Sequence, residues 1–324
     1  MLARISVEDC FCSTLEKINN KALGLQIRSE ELDISFKLSL LSWSDNIFTI
    51  GSRFEEVAEL TKILEKELWD LHRLHLKQER EILAASTYSF NSYERVDLFG
   101  TKWNIVSEAR VLGPILTSNG SCNLDVKRGI IQINKAFWAN SKFLINEKIP
   151  IEKRLEKLNS MAGGIIRSRG AAWIPSRGAV DMLEKAQNKL IKIMLKVKRR
   201  PGETPDQYNL RRNRMIKNFK KVSWALIHLE ASISWLAHMQ RHPNDYSSRL
   251  LRYCKHWVAE NRSFNSVGGS RTFSRSNRGH VFRFDHRSWT SRFSPEGSRD
   301  KKVRLQLARD MCEWVRQTPS SLSQ

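Results

Sequence analysis

Apolar residues recur along this chain at two spacings, and the change between them divides it. The clearest run is Val57, Leu60, Leu64, Leu68 and Leu71, with Glu59, Lys62, Lys66 and Asp70 on the other side. Steps of three and four make one face of an α-helix about five turns long. Ser52-Arg53-Phe54-Glu55 opens it with serine and, three residues on, glutamate, which predicts a reciprocal cap. Upstream, Val7 to Leu23 sets Phe11, Leu15, Ile18 and Leu23 on a helical face. Phe36 to Ser42 and Ile47 to Gly51 read instead as two strands about a tight turn carrying Asp45 and Asn46.

From Asp97 to Thr117 the pattern is again that of strands, with Trp103 to Val106 and Arg110 to Gly113 ahead of the turn signal Ser118-Asn119-Gly120. Beyond Ser121 helical spacing takes over, in segments 123–145, 151–168, 178–198, 205–220 and 221–241. In the third of these, Val180, Leu183, Ala186, Leu190, Ile193 and Val197 line one face, and Lys185, Lys189, Lys192 and Lys196 another. Pro201-Gly202 breaks the run. A last helix is expected from Lys301 to Arg316. The fold class expected is α+β: a small antiparallel sheet with helices, then a mainly helical region. The divisions expected are 1–120, 121–260, 261–299 and 300–324.

Charge changes this picture. The chain carries a formal +21, yet residues 1–100 hold 12 Lys/Arg against 17 Asp/Glu, a net of −5, so the remaining 224 residues carry +26. A surface that basic repels itself unless an anion neutralises it, and nucleic acid is the usual anion. The densest stretch runs from Lys189 to Lys221: Lys189, Lys192, Lys196, Lys198, Arg199, Arg200, Arg211, Arg212, Arg214, Lys217, Lys220 and Lys221 stand against Glu203 and Asp206. Solvated helix faces with long side chains over apolar surface are the plainer reading, but a net +10 in 33 residues favours phosphate contact. Residues 262–299 hold eight arginines among serine, glycine and aromatic residues, a composition for stacking bases or for a linker of low intrinsic order.

Other chemistry is sparse. Five scattered cysteines fit no disulfide framework and suit a reducing compartment. No run approaches the ~20 apolar residues of a membrane span, and the first residues lack a signal-like layout, so a nuclear or cytoplasmic protein without a membrane partner is expected. His238-x-x-x-His242 with Cys254 and His256 offers zinc-ligating atoms at no common structural-zinc spacing. No Gly-rich phosphate loop or nucleophile elbow is present.

The order of these parts resembles the carboxy-terminal half of a reverse transcriptase from a non-LTR (LINE-type) retrotransposon. Trp43-Ser44-Asp45-Asn46 resembles the family's aromatic-Ala-Asp-Asp box, Val7 to Phe11 the helix after its template-contacting motif, and Leu74 to Arg80 a strand with a basic residue near the incoming nucleotide. Val111-Leu112-Gly113 is similar to the Tyr-Leu-Gly of the primer-holding hairpin. Arg167 to Lys198 and Trp235 to Arg241 resemble thumb and post-thumb helices, and Ala308-Arg309-Asp310 with Trp314 a terminal Ala-x-Asp-Arg-x-x-Trp pattern. The resemblance implies a palm remnant, a thumb-like helical region, RNA-directed DNA polymerase ancestry, RNA or DNA as partner, and Mg²⁺ as cofactor with Asp45 as its metal ligand.

Departures from the family pattern matter equally. Asn46 stands for the second aspartate of the box, and the family's first catalytic aspartate and fingers belong to upstream sequence that this chain does not include. Glu31 or Asp33, expected on a facing strand, is the stand-in ligand. Aspartate and asparagine also suit tight turns without any metal. Three readings follow: a nucleic-acid-binding, catalytically incomplete polymerase fragment; the carboxy-terminal piece of an active enzyme completed by another segment; and a helical protein-interaction module.

Overall fold

A computed structural model describes residues 12–21, 23–43, 46–76, 80–83, 95–111, 113–118, 120–245, 247–253 and 292–317. In chain order its elements are α1 (12–20), β1 (Leu25–Ser29), β2 (Ile34–Leu38), β3 (Leu40–Trp43), β4 (Asn46–Thr49) and α2 (Phe54–His72). Next come β5 (Glu81–Leu83), β6 (Arg95–Leu98), β7 (Thr101–Val106), β8 (Glu108–Arg110) and β9 (Ile115–Thr117). The helices α3 (Asn123–Ala139), α4 (Ser141–Leu144), α5 (Ile151–Gly170), α6 (Arg177–Leu195), α7 (Pro205–Phe219), α8 (Trp224–Arg241), α9 (247–253) and α10 (Lys301–Gln317) follow. The α+β class is what the sequence pattern leads one to expect.

The chain folds as two compact units. The first comprises Met1–Leu112, Thr117–Asn119 and Tyr246–Ser270, and the second Gly113–Leu116, Gly120–Asp245 and Arg271–Gln324. In the first unit α2 is the organising helix. Leu60, Leu64 and Leu68 are buried, as the stripe requires, whereas Leu71 is half exposed. The helix ends one residue later, where Arg73 turns left-handed (φ 56°) and its N–H caps the Leu68 and Trp69 carbonyls.

The start of α2 differs from the expected Ser52–Glu55 box. Arg53 is the N-cap, so the third helical position falls on Glu56. The Glu56 carboxylate accepts the Ser52 N–H at 2.7 Å and the Ser52 hydroxyl at 2.6 Å, and its other oxygen accepts the Gly24 N–H at 2.6 Å. Glu67, buried farther along the helix, receives Lys17 Nζ and Ser13 Oγ (2.5 Å) from α1, and the Lys17 bond first, then that of Ser13, holds its carboxyl below the usual range.

The single strand expected from Phe36 to Ser42 is two strands, because Ser39 leaves the ladder and its carbonyl takes the Ile50 N–H at 2.7 Å. β2 pairs antiparallel with β1, Phe36 opposite Ile27, and β3 pairs antiparallel with β4, Leu41 opposite Phe48. β5, β7 and β6 form a separate three-stranded sheet in that order. Its β6–β7 hairpin turns at Phe99 (φ 55°) and Gly100 (φ 78°), two left-handed residues as a type I′ turn demands. Ala58 of α2 joins Ile82, Leu98 and Trp103 in one apolar cluster, and Leu64 and Leu68 pack with Leu40, Ile47 and Leu76 in another.

The second unit is helical around a core that includes Val126, Phe137, Leu158, Ile166, Trp173, Leu183, Leu190 and Trp224. The helix expected across 123–145 is broken at Asn140, whose side-chain Nδ2 donates to the Ala136 carbonyl at 2.9 Å. At the head of α3 lies a buried polar node. Asp125 Oδ1 accepts Arg169 Nη1 at 2.6 Å and the Ile115 N–H at 3.1 Å, while Oδ2 accepts Trp173 Nε1 at 2.6 Å. On α6, Val180, Leu183 and Leu190 are fully buried, but the helix stops at Leu195, and Val197 lies beyond it. Buried Gln187 ties α6 to the start of α8 through the Val222 carbonyl (2.6 Å) and the Trp224 N–H (3.2 Å).

Candidate nucleic-acid interface

The basic run from Lys189 to Lys221 folds as the end of α6, a connecting loop, and α7. Local sequence dictates both edges of the loop. Lys196 takes the left-handed cap conformation (φ 45°) that ends α6. Thr204-Pro205-Asp206-Gln207 starts α7: Thr204 Oγ1 accepts the Gln207 N–H, Gln207 Oε1 accepts the Thr204 N–H, and Pro205 occupies the first helical position.

Between these edges Glu203 acts as a clamp. Its two carboxylate oxygens each lie 2.8 Å from Arg211, one from Nε and one from Nη2, and one of them also accepts the Arg200 backbone N–H at 3.0 Å. The Glu203 carbonyl accepts Arg199 Nε at 2.6 Å, and Arg211 Nη2 reaches the Lys198 carbonyl at 2.9 Å. Tyr208 Oη donates to the Val197 carbonyl at 3.0 Å, and Arg212 lies over the Tyr208 ring at 4.9 Å. Hydrogen bonds from Arg211 and then from the Arg200 backbone hold the Glu203 carboxyl down to about 2. The loop is therefore cross-linked by charge-assisted bonds on both sides.

This geometry sorts the twelve cations by what each already does. Arg211 belongs to the clamp, Arg212 stacks on Tyr208 and bonds Asn209, Lys196 faces Glu147 at 3.0 Å, and Lys220 shares Glu184 with Arg316. Lys189, Lys198, Arg200, Arg214, Lys217 and Lys221 are exposed and form no salt bridge among the described residues, although Lys198 acts electrostatically on Glu147 and Arg200 on Glu203. Lys192 is half-buried, also without an acid, and Arg199 keeps an exposed guanidinium. Arg214 and Lys217 stand three residues apart on α7, so part of this charge shares one helix face, while Lys221 lies beyond the helix end.

The residues of the polymerase-like motif are only partly within view. Asp45 and Leu112 lie outside the described residues. Asn46 opens β4, its backbone opposite Trp43. The strand expected over Arg110 to Gly113 ends at Arg110. Gly113 has φ 109°, a value that favours glycine, and its carbonyl accepts Arg169 Nη2 at 3.1 Å. Asp33 is in the turn between β1 and β2 (φ 49°), as is Glu31, not on a strand. By sequence, Trp43-Ser44-Asp45-Asn46 contains one carboxylate and one amide. Among the described residues no three His, Cys, Asp or Glu converge to hold a metal. His238 and His242 sit at the end of α8 with ring centres 4.6 Å apart, while Cys254 and His256 lie outside the described residues.

Two features were not anticipated by sequence reasoning. The Glu203 clamp had a local signal, the Thr204–Gln207 capping box. The Asp125–Arg169–Trp173 node had none, since its members are 44 and 48 residues apart.

No family model matches the chain, and neither the curated proteins nor the solved structures contain a significant match. Among the described residues no helix is long and apolar enough to cross a membrane.

Proposed function

We propose that this chain binds nucleic acid through the α6–loop–α7 segment, and that it descends from a retrotransposon reverse transcriptase without assembling a two-metal polymerase site of its own. The observation that carries the binding reading is the set of exposed cations that form no salt bridge among the described residues: Lys198 and Arg200 on the loop that Glu203 holds in shape, Lys189 on α6, Arg214 and Lys217 on α7, and Lys221 just beyond it. Free ammonium and guanidinium groups on an ordered frame neutralise phosphates, and release of condensed counterions makes such binding fall steeply with salt. They carry no base information by themselves. The ancestry rests on the order of the motifs around Asp45, and the inactivity on the pairing of one carboxylate with one amide where two-metal chemistry needs several anionic oxygens.

Binding to single- and double-stranded RNA and DNA, measured from low to moderate salt, tests the first claim. Affinity should fall with salt, and Arg200→Gln with Lys217→Gln should flatten the slope by about 0.7–0.9 for each phosphate that the variant leaves unneutralised. A flat salt dependence sinks the reading in favour of a protein-interaction module. Primer extension with Mg²⁺ or Mn²⁺ tests the second claim. Incorporation that Asp45→Ala abolishes would overturn the inactive assignment.

A further inference from the structure

Away from the basic segment, α5 and α8 enclose an open groove of about 430 Å³ lined by Arg167, Ile227, Glu230, Ser234, Trp235 and His238. Its composition is unusual for a helix–helix seam. Trp235 is 44% exposed although its neighbours on α8, Ile233, Leu236 and Ala237, are fully buried. The indole is offset-stacked on His238 one turn on, ring centres 5.5 Å apart and planes 20° from parallel, which restrains it without covering it. Arg167 has no acidic partner among the described residues, and its guanidinium lies back along α5 over Gly163, 3.1 Å from where a Cβ would stand. Glu230 also lacks a cation partner among the described residues. An exposed ring, a free guanidinium and a free carboxylate therefore share one concave site that the fold itself leaves unsatisfied.

We propose that this groove is a subsite for one unpaired base of a single-stranded nucleic acid, with guanine preferred; it rests on the nucleic-acid reading above. The base stacks on Trp235, as single-strand binders use aromatic side chains. Arg167 meets the adjoining phosphate, consistent with the +26 carried by residues 101–324. Glu230 accepts hydrogen bonds from the base edge, and guanine alone among the common bases offers neighbouring N1–H and N2–H donors to a carboxylate. The site thereby adds base discrimination that the phosphate-binding lysines and arginines cannot supply.

The test uses the full chain and uridine RNAs of about 12 nucleotides, each with one central guanosine, adenosine or 5-iodouridine. Irradiation of the iodouridine RNA should cross-link the peptide that carries Trp235. Trp235→Ala should weaken binding about tenfold, Trp235→Phe should restore most of it, and Glu230→Gln should remove the preference for the guanosine RNA. Circular dichroism verifies that each variant folds. Cross-links confined to other peptides, with Trp235→Ala binding as tightly as wild type and salt dependence intact, would overturn the subsite and leave the basic interface standing. Absence of any salt-dependent binding by the wild-type chain would instead remove the reading on which the subsite rests.

Discussion

Arg169 donates to Asp125 from within the second unit's core, its Nη1 2.6 Å from Oδ1, with the two side chains only 11% and 2% exposed. A buried pair of this kind is retained only where other hydrogen bonds complete it. Here the Trp173 indole and the Ile115 N–H complete the carboxylate, and the Gly113 carbonyl takes a second guanidinium nitrogen. Asp125→Ala strips three donors of their acceptor and leaves a charge buried alone. Denaturant unfolding should show a loss of about 3–5 kcal/mol at unchanged m-value. Adding Arg169→Met to that variant should recover part of the loss, since the orphaned charge goes with it. A loss below about 1 kcal/mol would contradict the burial of the pair.

Two helical glycines of the same unit should respond in opposite directions. A Cβ on Gly129 would stand 2.8 Å from Trp173 Cζ2, and the indole is held in place by Asp125. Gly129→Ala should therefore cost about 1–3 kcal/mol through overpacking. At Gly164 a Cβ meets nothing within 4 Å. Gly164→Ala should stabilise α5 by up to about 1 kcal/mol, because alanine loses less backbone freedom on entering a helix. Thermal unfolding of the two variants checks both signs at once.

What could be read in the sequence follows from the range of the interactions involved. The helix in α6 was legible because Val180, Leu183 and Leu190 answer one core at one period. Its end was not, since the left-handed turn at Lys196 has no glycine to announce it. The cap on α2 falls one residue later than the pattern suggests, because Glu55 and Glu56 are both acids and only the backbone decides which occupies the third position. β1 has no strong pattern of its own, for Leu25–Ser29 is a strand by virtue of its partner β2. The twelve cations were legible as a charge but not as roles. Glu203 and Arg211 are eight residues apart, and nothing short of the folded loop shows that they neutralise each other.

The Glu203 clamp predicts an acid-sensitive loop. With its carboxyl held down to about 2, below the ordinary 4.5, the clamp is fully present above about 4.5 and is lost as pH falls through about 2. The protection factor of the Arg200 amide, corrected for the intrinsic slowing of exchange in acid, should therefore be high at neutral pH and collapse towards pH 2. Glu203→Gln should remove that protection at neutral pH while α6 and α8 remain protected. Because the clamp orders the neighbouring Lys198 and Arg200, the variant should also bind nucleic acid more weakly, despite its higher positive charge. Tighter binding would show that bulk charge, not the ordered loop, sets affinity.

His228 predicts a second pH dependence, between about 6.5 and about 4. Its ring is fully buried on α8, Nδ1 is 3.1 Å from the Gly170 carbonyl, and Nε2 has no hydrogen-bond partner. Nδ1 therefore carries the proton of a neutral imidazole, and burial pushes the pKa down from 6.5 to about 4. Because the folded value lies below the unfolded one, the unfolded chain takes up the proton first as pH falls. Stability is then undiminished above about 6.5 and declines down to about 4, by about 3 kcal/mol in all at 1.36 kcal/mol per unit. Urea unfolding of wild type and His228→Gln across that window measures it. The wild-type curve should fall more steeply, and the difference between the two should shrink as pH drops from 6.5. Parallel curves would show that His228 is already protonated in the folded protein or reached by water.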